Sequence, residues 1–433
     1  MIGGPMIGGP VIGGPVTGGR PAGGLLLVGG AGPLPWSLDI ARTALVQAHR
    51  RGLRTHLTNR PDTLAETEFA ALPADSVSAV DFEDPAAGVA WALGRRAAGE
   101  DFRVVLGVRE MAQVATAEIA EALGRPGNPP DAVRRVRSKD ECRAALAAAG
   151  FAQPRVAVCA GLADAERFAA GVSGPWVVKP RDGMGSRGVT RADHLDDLPG
   201  AVAVLPAGVP FLIEEYVTGP EYSVEGVFLD QKPVVLAVTA KEKAPPPYFV
   251  EVGHILPAEL PDAERDRFTA AVTGALTVLG LRYGVFHVEL WNTPDGVVLG
   301  EVHVRNAGAA IHRMLEYAID GLELFGVVYD DALGRPPRYP GPPVRAAATR
   351  FLTSSEPGVL RAIEGWAEVA AHPAVLHAEL AARPGTVVGP LRDADGRLGA
   401  IMVGAPTAAR ARVLAHTLAG SVRFVVEPAG GAS

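Results

Sequence analysis

Two acidic side chains, Glu289 in the stretch FHVELW and Glu301 in the stretch GEVHVR, have a spacing that could bind a cation. Both stretches are predicted strands of one hairpin, residues 283–308, that folds about the turn NTPDG. Side chains alternate along a strand, so Glu289 is expected nearly opposite Glu301 on a polar face whose reverse side is apolar. Two carboxylates directly across a strand pair repel each other unless a divalent cation lies between them or one is protonated. We therefore predict a Mg²⁺-nucleotide site; the alternative is a solvated polar face with salt bridges.

The same polar face carries an arginine and histidines. Arg305 shares a face with Glu301 and could stabilise the charge on a transferred phosphoryl group. His303 stands two residues after Glu301, and an imidazole is a poor ligand for Mg²⁺ compared with oxygen. We expect His303 to contact phosphate or substrate instead, or the second metal position to be weakened, so the number of metal ions stays open. His287 and His312 are interpreted as structural or supporting residues.

A glycine-rich loop lies in the stretch WVVKPRDGMGSRGVT, residues 176–190, where three glycines formally match the dinucleotide pattern G-x-G-x-x-G. A dinucleotide loop must open directly into a helix, whereas this one is followed by Val189 and Thr190. The P-loop pattern G-x-x-x-x-G-K-[ST] does not occur in the sequence either. We predict a mobile flap at the tip of a hairpin, with a flexible surface turn as the alternative.

Lys179 ends an apolar strand immediately before the glycine loop. A buried ammonium there needs an anionic partner to offset its desolvation, and a phosphate could supply it. The alternative is a lysine that extends from the strand end to solvent.

The composition excludes several classes of partner. The chain has 433 residues, 48% hydrophobic and 21% charged, which is enough for roughly three domains. A net charge of −7 gives no electrostatic footprint for nucleic acid or an anionic membrane, and no apolar run is long enough to span a bilayer. The two cysteines, Cys142 and Cys159, make neither a disulfide framework nor a zinc pair. We predict a cytoplasmic protein that acts on small molecules, with no nucleic-acid or membrane partner.

Composition shifts also divide the chain into segments. The Gly/Pro repeat that begins MIGGP cannot bury enough apolar surface to offset chain entropy, and we interpret it as a disordered tail. The stretches PGNPPD and RPPRYPGPP are interpreted as linkers. The predicted segments are the low-complexity tail 1–23, an N-terminal α/β domain 24–126, a middle domain 127–335 divided at about residue 213, and a strand-rich C-terminal domain 336–433.

Periodicity predicts a parallel α/β layer first and mostly antiparallel hairpins afterwards. The predicted strands of the middle domain are 155–158, 176–179, 211–217, 222–229 and 234–239, and the predicted helices of the two domains are 37–51, 110–123, 139–149, 262–279 and 311–317.

Four stretches resemble the ATP-grasp superfamily, in which two α+β subdomains hold ATP between them. LIEEYVTGPEYSVEG, residues 212–226, resembles the adenine-hinge and ribose segment of D-alanine:D-alanine ligases, and GEVHVR resembles the E-x-N-x-R strand of biotin carboxylase. FVEVGHILPAEL, FHVELW and the pattern E-x-x-x-R-x-A-G of residues 301–308 look most like the bacilysin-type L-amino-acid ligases. The resemblance covers roughly residues 20–430. It implies an ATP-grasp fold with an N-terminal α/β (pre-ATP-grasp) domain and a C-terminal biotin-carboxylase-like β-rich domain.

The resemblance also implies a set of site residues. ATP phosphates would be bound by Lys139 and Lys179, under a flap that contains Gly183, Gly185, Ser186 and Gly188. The adenine and ribose would contact Glu214, the backbone of Glu215 to Val217, and Glu221. Mg²⁺, or Mn²⁺, would be bound by Glu289 and Glu301. Arg305 would steady an acyl phosphate, while the substrate pocket would include Glu110, Glu251, His254, His303 and Gly308.

The implied activity is that of an ATP-dependent carboxylate-amine ligase of natural-product biosynthesis, which forms a dipeptide or amino-acid conjugate through an acyl phosphate and releases ADP and phosphate. The glycine flap and the loop KEKAPPPYFVEVGH are candidate lids over the intermediate. The alternatives are an ATP-grasp enzyme with a carrier-protein or purine-pathway-type acceptor, and a catalytically inactive ATP-binding regulatory protein. Relatives of this kind are often homodimers.

Overall fold

The computed structural model describes residues 23–32, 35–65, 71–183, 185–336 and 339–428. The disordered tail predicted over residues 1–23 lies outside these ranges except for Gly23, and so does Met184 of the glycine loop.

The N-terminal domain is a four-stranded parallel sheet with helices packed on it, as the alternation of strand and helix predicts. The strand order is β3-β2-β1-β4. All five residues of the first strand, GLLLV, are buried, which is expected for a strand with both faces covered. The elements are β1 Gly24–Val28, α1 Pro35–His49, β2 Arg54–Asn59, α2 Pro61–Leu64, β3 Ser76–Ala79, α3 Pro85–Ala97, β4 Phe102–Gly107, a 3₁₀ turn Glu110–Ala112 and α4 Gln113–Leu123.

A second, smaller unit carries the glycine loop. Its antiparallel sheet has the order β5-β8-β6-β7, and the loop joins two neighbouring strands of that sheet as a hairpin. The elements are α5 Pro130–Arg137, α6 Lys139–Ala148, β5 Val156–Cys159, α7 Leu162–Gly171, β6 Trp176–Pro180, β7 Thr190–Ala192, a 3₁₀ turn Leu195–Asp197, α8 Leu198–Ala203 and β8 Phe211–Glu215.

The acidic hairpin belongs to a third unit, whose sheet packs on one face against the long helix Asp262–Val278. On the other face it packs against two shorter helices that also contact the N-terminal domain. Tyr329 donates a hydrogen bond to the backbone O of Ala44 at 3.1 Å, and Phe325 packs in the same core. The elements are β9 Glu221–Leu229, β10 Lys232–Lys243, β11 Glu251–Leu256, α9 Asp262–Val278, β12 Val285–Thr293, β13 Gly296–His303, α10 Ile311–Ala318 and α11 Leu324–Ala332.

The C-terminal strands extend the sheet of the third unit. An eight-stranded antiparallel sheet runs in the order β13-β12-β9-β10-β11-β14-β18-β16, so β11 pairs directly with the first strand after the predicted boundary at residue 336. A separate three-stranded sheet has the order β17-β15-β19. The elements are β14 Ala346–Leu352, β15 Gly358–Glu364, α12 Trp366–Ala370, β16 Val375–Leu380, β17 Val387–Val388, a 3₁₀ turn Ala394–Gly396, β18 Gly399–Ala405, α13 Ala408–Gly420 and β19 Arg423–Glu427.

Two further expectations concern the cysteines and the membrane. Cys142 and Cys159 are both buried and free, and burial raises the pKa of the Cys142 thiol to about 12, which agrees with a packing role. Within the described ranges, each helix is too short or too polar to cross a membrane.

Candidate active site

The acidic hairpin places both predicted metal ligands on one face. β12 and β13 pair His287 with His303 and Val288 with Val302, and the register then shifts by one residue at Glu289. This bulge sets Glu289 beside Gly300 and Glu301. The rings of His287 and His303 stack on the same face, 5.6 Å between centroids and 17° between planes, whereas Val288 and Val302 are buried on the reverse face. The alternation read from the sequence therefore predicts the arrangement of the two acids.

Each of these histidines lies between two carboxylates. His287 Nδ1 is 3.0 Å from Glu225 Oε2, and its Nε2 is 3.3 Å from Glu289 Oε1. His303 Nδ1 is 2.9 Å from Glu110 Oε2, and its Nε2 is 3.3 Å from Glu301 Oε2. Burial lowers the pKa of His287, but the Glu225 carboxylate more than offsets this and raises it to about 9.

Lys241 on β10 is the residue that sequence reasoning missed at the centre of the site. Its ammonium is 2.7 Å from Glu221, 2.6 Å from Glu251 and 2.9 Å from Glu289, and its side chain is only 2% exposed. Burial alone would lower the pKa of Lys241, yet the three carboxylates raise it well above its usual value. The only sequence signal is the run KEK that follows an apolar strand.

The two facing acids are ionised rather than protonated. Burial raises the pKa of Glu289, but Lys241 and His287 lower it to about 2 in spite of the nearby Glu301. The pKa of Glu301 is held well below its usual value by Lys139 and His303, against its burial. The Lys139 ammonium is 3.2 Å from Glu301 Oε1 and 3.3 Å from the backbone O of Gly183. Lysines thus balance the charge of these acids, which is the salt-bridged arrangement that the sequence left as the alternative, and the Mg²⁺ site stays a prediction.

These residues fit a magnesium ion that is completed by other oxygen donors. Two ionised carboxylates side by side are the hard oxygen ligands that Mg²⁺ prefers, and the ion usually keeps phosphate and water oxygens as well. In the described part of the chain, no group of three or more His, Cys, Asp or Glu side chains forms a metal site by itself.

Lys179 and Glu214 form a buried ion pair together with Arg143, a residue of α6 that sequence reasoning missed. Lys179 Nζ is 2.7 Å from Glu214 Oε2, and Arg143 Nε is 2.6 Å from Glu214 Oε1. Burial lowers the pKa of Lys179, although the Glu214 carboxylate opposes this shift. The Glu214 carboxylate therefore already accepts from two cations, and its contact with adenine stays a prediction. The adjoining hinge is fixed by the Tyr216 amide, which donates to the backbone O of Pro175 at 3.0 Å.

The N-terminal domain contributes one wall of the candidate active site through Glu110, the residue that was predicted to lie there. Its carboxylate accepts hydrogen bonds from Arg305 Nε at 2.7 Å and from His303 Nδ1 at 2.9 Å. Burial raises the pKa of Glu110, but His303 and Arg305 lower it well below its usual value. A small cavity opens beside Glu110 and is also lined by Lys139, Gly183 and Glu301. Gly308 lies in the exposed loop after β13, where its carbonyl accepts from the Ile311 amide.

The predicted amino-acid pocket lies at the other side of Lys241. Glu251 Oε2 is 3.3 Å from His254 Nε2, and the His254 ring packs edge-on against Phe351 of β14, 5.8 Å between centroids. Only 2% of His254 is exposed, so it supports the pocket from behind. Two residues of the C-terminal domain, Phe351 and Arg397, complete this cluster, and sequence reasoning identified neither.

The glycine loop is closed onto two other segments. Gly185 and Gly188 have positive φ values of 71° and 69°, and Ser186, at 59°, donates a hydrogen bond to the backbone O of Phe249 in the second candidate lid. The Ala394 amide donates to the backbone O of Gly185 at 3.0 Å, and Arg187 Nε donates to Asp395 Oδ2 at 2.9 Å. The hairpin tip predicted from the sequence thus contacts the C-terminal domain.

Comparisons with known proteins identify the superfamily of this chain. The family model described as ATP-grasp domain matches residues 172–313, and the model described as L-amino acid ligase C-terminal domain 2 matches residues 350–427. Protein y4rH of Sinorhizobium fredii is 30% identical over 335 residues, which are 76% of this chain and 69% of that protein. The chain belongs to the ATP-grasp superfamily. Within the ATP-grasp superfamily it is L-amino-acid-ligase-like.

Two further relatives of this ATP-grasp chain are similar over most of its length. Carnosine synthase 1 of Gallus gallus is 28% identical over 374 residues, which are 79% of this chain but only 39% of that protein. The crystal structure of L-amino acid ligase from Bacillus licheniformis superposes with a TM-score of 0.78 at 24% identity, and the match covers 94% of this chain and all of that one. The predicted ATP-grasp fold with an N-terminal parallel α/β sheet and antiparallel β-rich domains is confirmed.

Proposed function

We propose that this ATP-grasp protein is an ATP-dependent ligase that joins the carboxylate of one amino acid to the amine of another. A carboxylate oxygen attacks the γ-phosphorus of ATP, the bond to the leaving ADP breaks, and an acyl phosphate forms. The amine nitrogen then attacks the acyl carbon, phosphate leaves, and the nitrogen loses a proton. Such phosphoryl transfer needs positioning and charge neutralisation more than covalent help from the protein.

The observation that supports this proposal is the clustering of acids and cations where the acidic hairpin meets the N-terminal domain. Glu289 and Glu301 lie on one face and are ionised, Lys139 reaches Glu301 at 3.2 Å, and Arg305 reaches Glu110 at 2.7 Å. An acyl phosphate placed between the glycine loop and β13 would meet cations from the loop side and from the hairpin side. Both lids would then exclude water from it.

The roles that we assign to the individual residues rest on the resemblance to ATP-grasp ligases. Lys139 and Lys179 bind ATP phosphates beneath the glycine flap, and Arg305 steadies the acyl phosphate. Glu214 and Glu221 lie at the adenine and ribose ends of the nucleotide, with the backbone of residues 215–217 as the hinge. Mg²⁺ held by Glu289 and Glu301 would neutralise phosphate charge. The amino-acid substrates would lie among Glu110, Glu251, His303 and Gly308, with His254 behind Glu251.

Lys241 also belongs in this scheme, because it connects the three ends of the site. Its contacts with Glu221, Glu251 and Glu289 join the ribose, amino-acid and metal positions through one ammonium. We assign it the role of holding these three carboxylates at fixed separations.

The test is an ADP-release screen of the purified chain over all pairs of amino acids, with mass detection of the product. The expected result is ADP formation that depends on both amino acids, with a product whose mass equals their sum less one water. Glu301→Ala should abolish turnover while the circular dichroism spectrum stays unchanged. The reason is that Glu301 lies on the polar face of β13, whereas the apolar core lies on the reverse face. Unchanged activity would remove the metal assignment, and nucleotide binding without turnover on any pair would refute the ligase proposal.

A further inference from the structure

The guanidinium of Arg397 enters the predicted amino-acid pocket from the C-terminal domain. Arg397 follows the 3₁₀ turn Ala394–Gly396 and leads into β18. Its Nε and Nη2 both donate to the backbone O of Glu251, at 3.2 and 2.9 Å, and Nη2 is 3.6 Å from Glu251 Oε2. The guanidinium also lies over the ring of Phe351, 3.7 Å from its centroid. One edge and one face of Arg397 are therefore fixed.

The positive charge of Arg397 is only partly compensated by its neighbours. Burial lowers the pKa of Arg397, although Glu251, Asp393 and Asp395 oppose the shift. The Glu251 carboxylate is shared with Lys241, 2.6 Å away, and Asp395 is paired with Arg187. A buried guanidinium with shared counter-ions favours an additional anion beside it.

The remaining edge of the guanidinium is open. Among the residues that the structure describes, none accepts a hydrogen bond from Arg397 Nη1. Nη1 is also not one of the buried polar atoms that lack a partner, so solvent reaches it. The rigid fork of an arginine matches a carboxylate in two parallel hydrogen bonds. Nη1 and the second hydrogen on Nη2, a nitrogen 3.6 Å from Glu251 Oε2, would be the donors for them.

We propose that Arg397 binds the α-carboxylate of the amino acid that supplies the attacking amine. This inference rests on the proposed ligase function and names one substrate class for it, α-amino acids with an unblocked carboxylate. The carboxylate of the other amino acid is the group that reacts, and it must lie near Glu289 and Glu301, which Glu251 and Lys241 separate from Arg397. The acceptor carboxylate does not react, yet it carries a full charge into a closed site and requires a cation there.

Two assays distinguish binding of the acceptor amino acid from activation of the first carboxylate. Trapping with hydroxylamine converts the acyl phosphate to a hydroxamate and reports carboxylate activation without any acceptor. Amide formation is then measured with each of the twenty L-amino acids and its carboxamide, in which the α-carboxylate is blocked.

Arg397→Gln keeps a donor for the Glu251 carbonyl but removes the charge, and Arg397→Lys restores the charge without the fork. Arg423→Gln is the matched control, since it removes an exposed guanidinium of the same domain that is 3.5 Å from Glu364.

Loss of a charge-assisted hydrogen bond should raise the KM of the free amino acid by about 10- to 100-fold in Arg397→Gln. The KM of the carboxamide and the rate of hydroxamate formation should stay unchanged in Arg397→Gln. The KM of the free amino acid in Arg397→Lys should lie between those of Arg397→Gln and the wild type, and Arg423→Gln should match the wild type. Equal effects on amino acid and carboxamide would show a purely structural role.

Three other results would overturn the inference or its basis. A raised KM for the activated amino acid in the hydroxamate assay would place Arg397 at the first substrate. Hydroxamate formation with none of the twenty amino acids as acceptor would refute the acceptor class. Absence of both hydroxamate and ADP in the wild type would instead refute the proposed ligase function, so the two failures are distinguishable.

Discussion

Replacing Lys241 by methionine should destabilise the protein strongly, because it leaves three buried carboxylates without their shared cation. The ammonium is within 2.9 Å of all three carboxylates and only 2% of its side chain is exposed. Breaking a buried ion pair by removing one partner costs about 3–5 kcal/mol. For a cooperative unit of about 150–250 residues this lowers the unfolding temperature by roughly 6–20 °C. Methionine has nearly the same length, so the loss of charge rather than of volume is tested.

The pH dependence gives this prediction a second signature. In the wild type the pKa of Glu289 is lowered to about 2 and that of Glu251 well below its usual value, mainly by Lys241 against burial. Their contribution to stability is therefore present above the unfolded pKa of about 4.3 and is lost as the pH falls through the folded pKa. Without Lys241, burial and mutual repulsion raise the folded pKa values above the unfolded one. The variant should then become more stable as the pH falls from about 7 to about 5, which the wild type should not.

The assay is thermal unfolding followed by circular dichroism over this pH range. Lys243→Met is the control, because Lys243 lies on the same strand and is 24% exposed, and its ion pair is with Glu221 rather than with three carboxylates. It also lies over the Phe249 ring, and its loss should cost less than the loss of Lys241. The reasoning is wrong if Lys241→Met unfolds at the wild-type temperature, or if its stability does not rise as the pH falls from about 7 to about 5.

Two further predictions concern a glycine and the flap. Gly226→Ala should destabilise the eight-stranded sheet by at least about 3 kcal/mol, because the new Cβ would lie 2.1 Å from the Phe286 ring and 2.4 Å from the Val234 carbonyl. Chemical denaturation measures the free energy of unfolding, and a decrease of less than about 1 kcal/mol would contradict the prediction. Arg187→Ala should change global stability by less than about 1 kcal/mol, since the side chains of Arg187 and Asp395 are 64% and 61% exposed. The variant should nevertheless be cleaved faster by proteases within the glycine loop. An unchanged cleavage rate would show that this ion pair does not hold the loop.

The hairpin and its acids were predictable because every contact involved is local. The period of two fixes the faces of β12 and β13, and a single short turn fixes their register to within the one-residue shift at Glu289. Predicted helices such as 262–279 and 139–149 also agree with the structure to one residue, because apolar spacing is a property of neighbouring residues.

The cluster of three carboxylates around Lys241 could not be predicted in the same way. Its partners Glu221, Glu251 and Glu289 come from three strands whose mutual register depends on pairings across β9, β10, β11 and β12. No local pattern reports such distant pairings. Arg143 and Arg397 were missed for the same reason: Arg143 meets Glu214 from 71 residues away within the second unit, and Arg397 meets Glu251 across a domain boundary. The roles assigned to the predicted site residues stay predictions until the variants above are measured.

The pairing of β11 with β14 has a consequence for building chimeric ligases. A crossover placed in the proline-rich stretch near residue 336 would graft a foreign β14 onto a resident β11, and the recombined strands would have to match in register along four residue pairs. It would also separate Arg397 from the Glu251 carbonyl that orients it. A crossover upstream of β11 would transfer both partners of each contact together, although it would then cut the pairing of β10 with β11. Exchange of acceptor preference between relatives should therefore succeed more often when β11 is transferred together with the C-terminal domain.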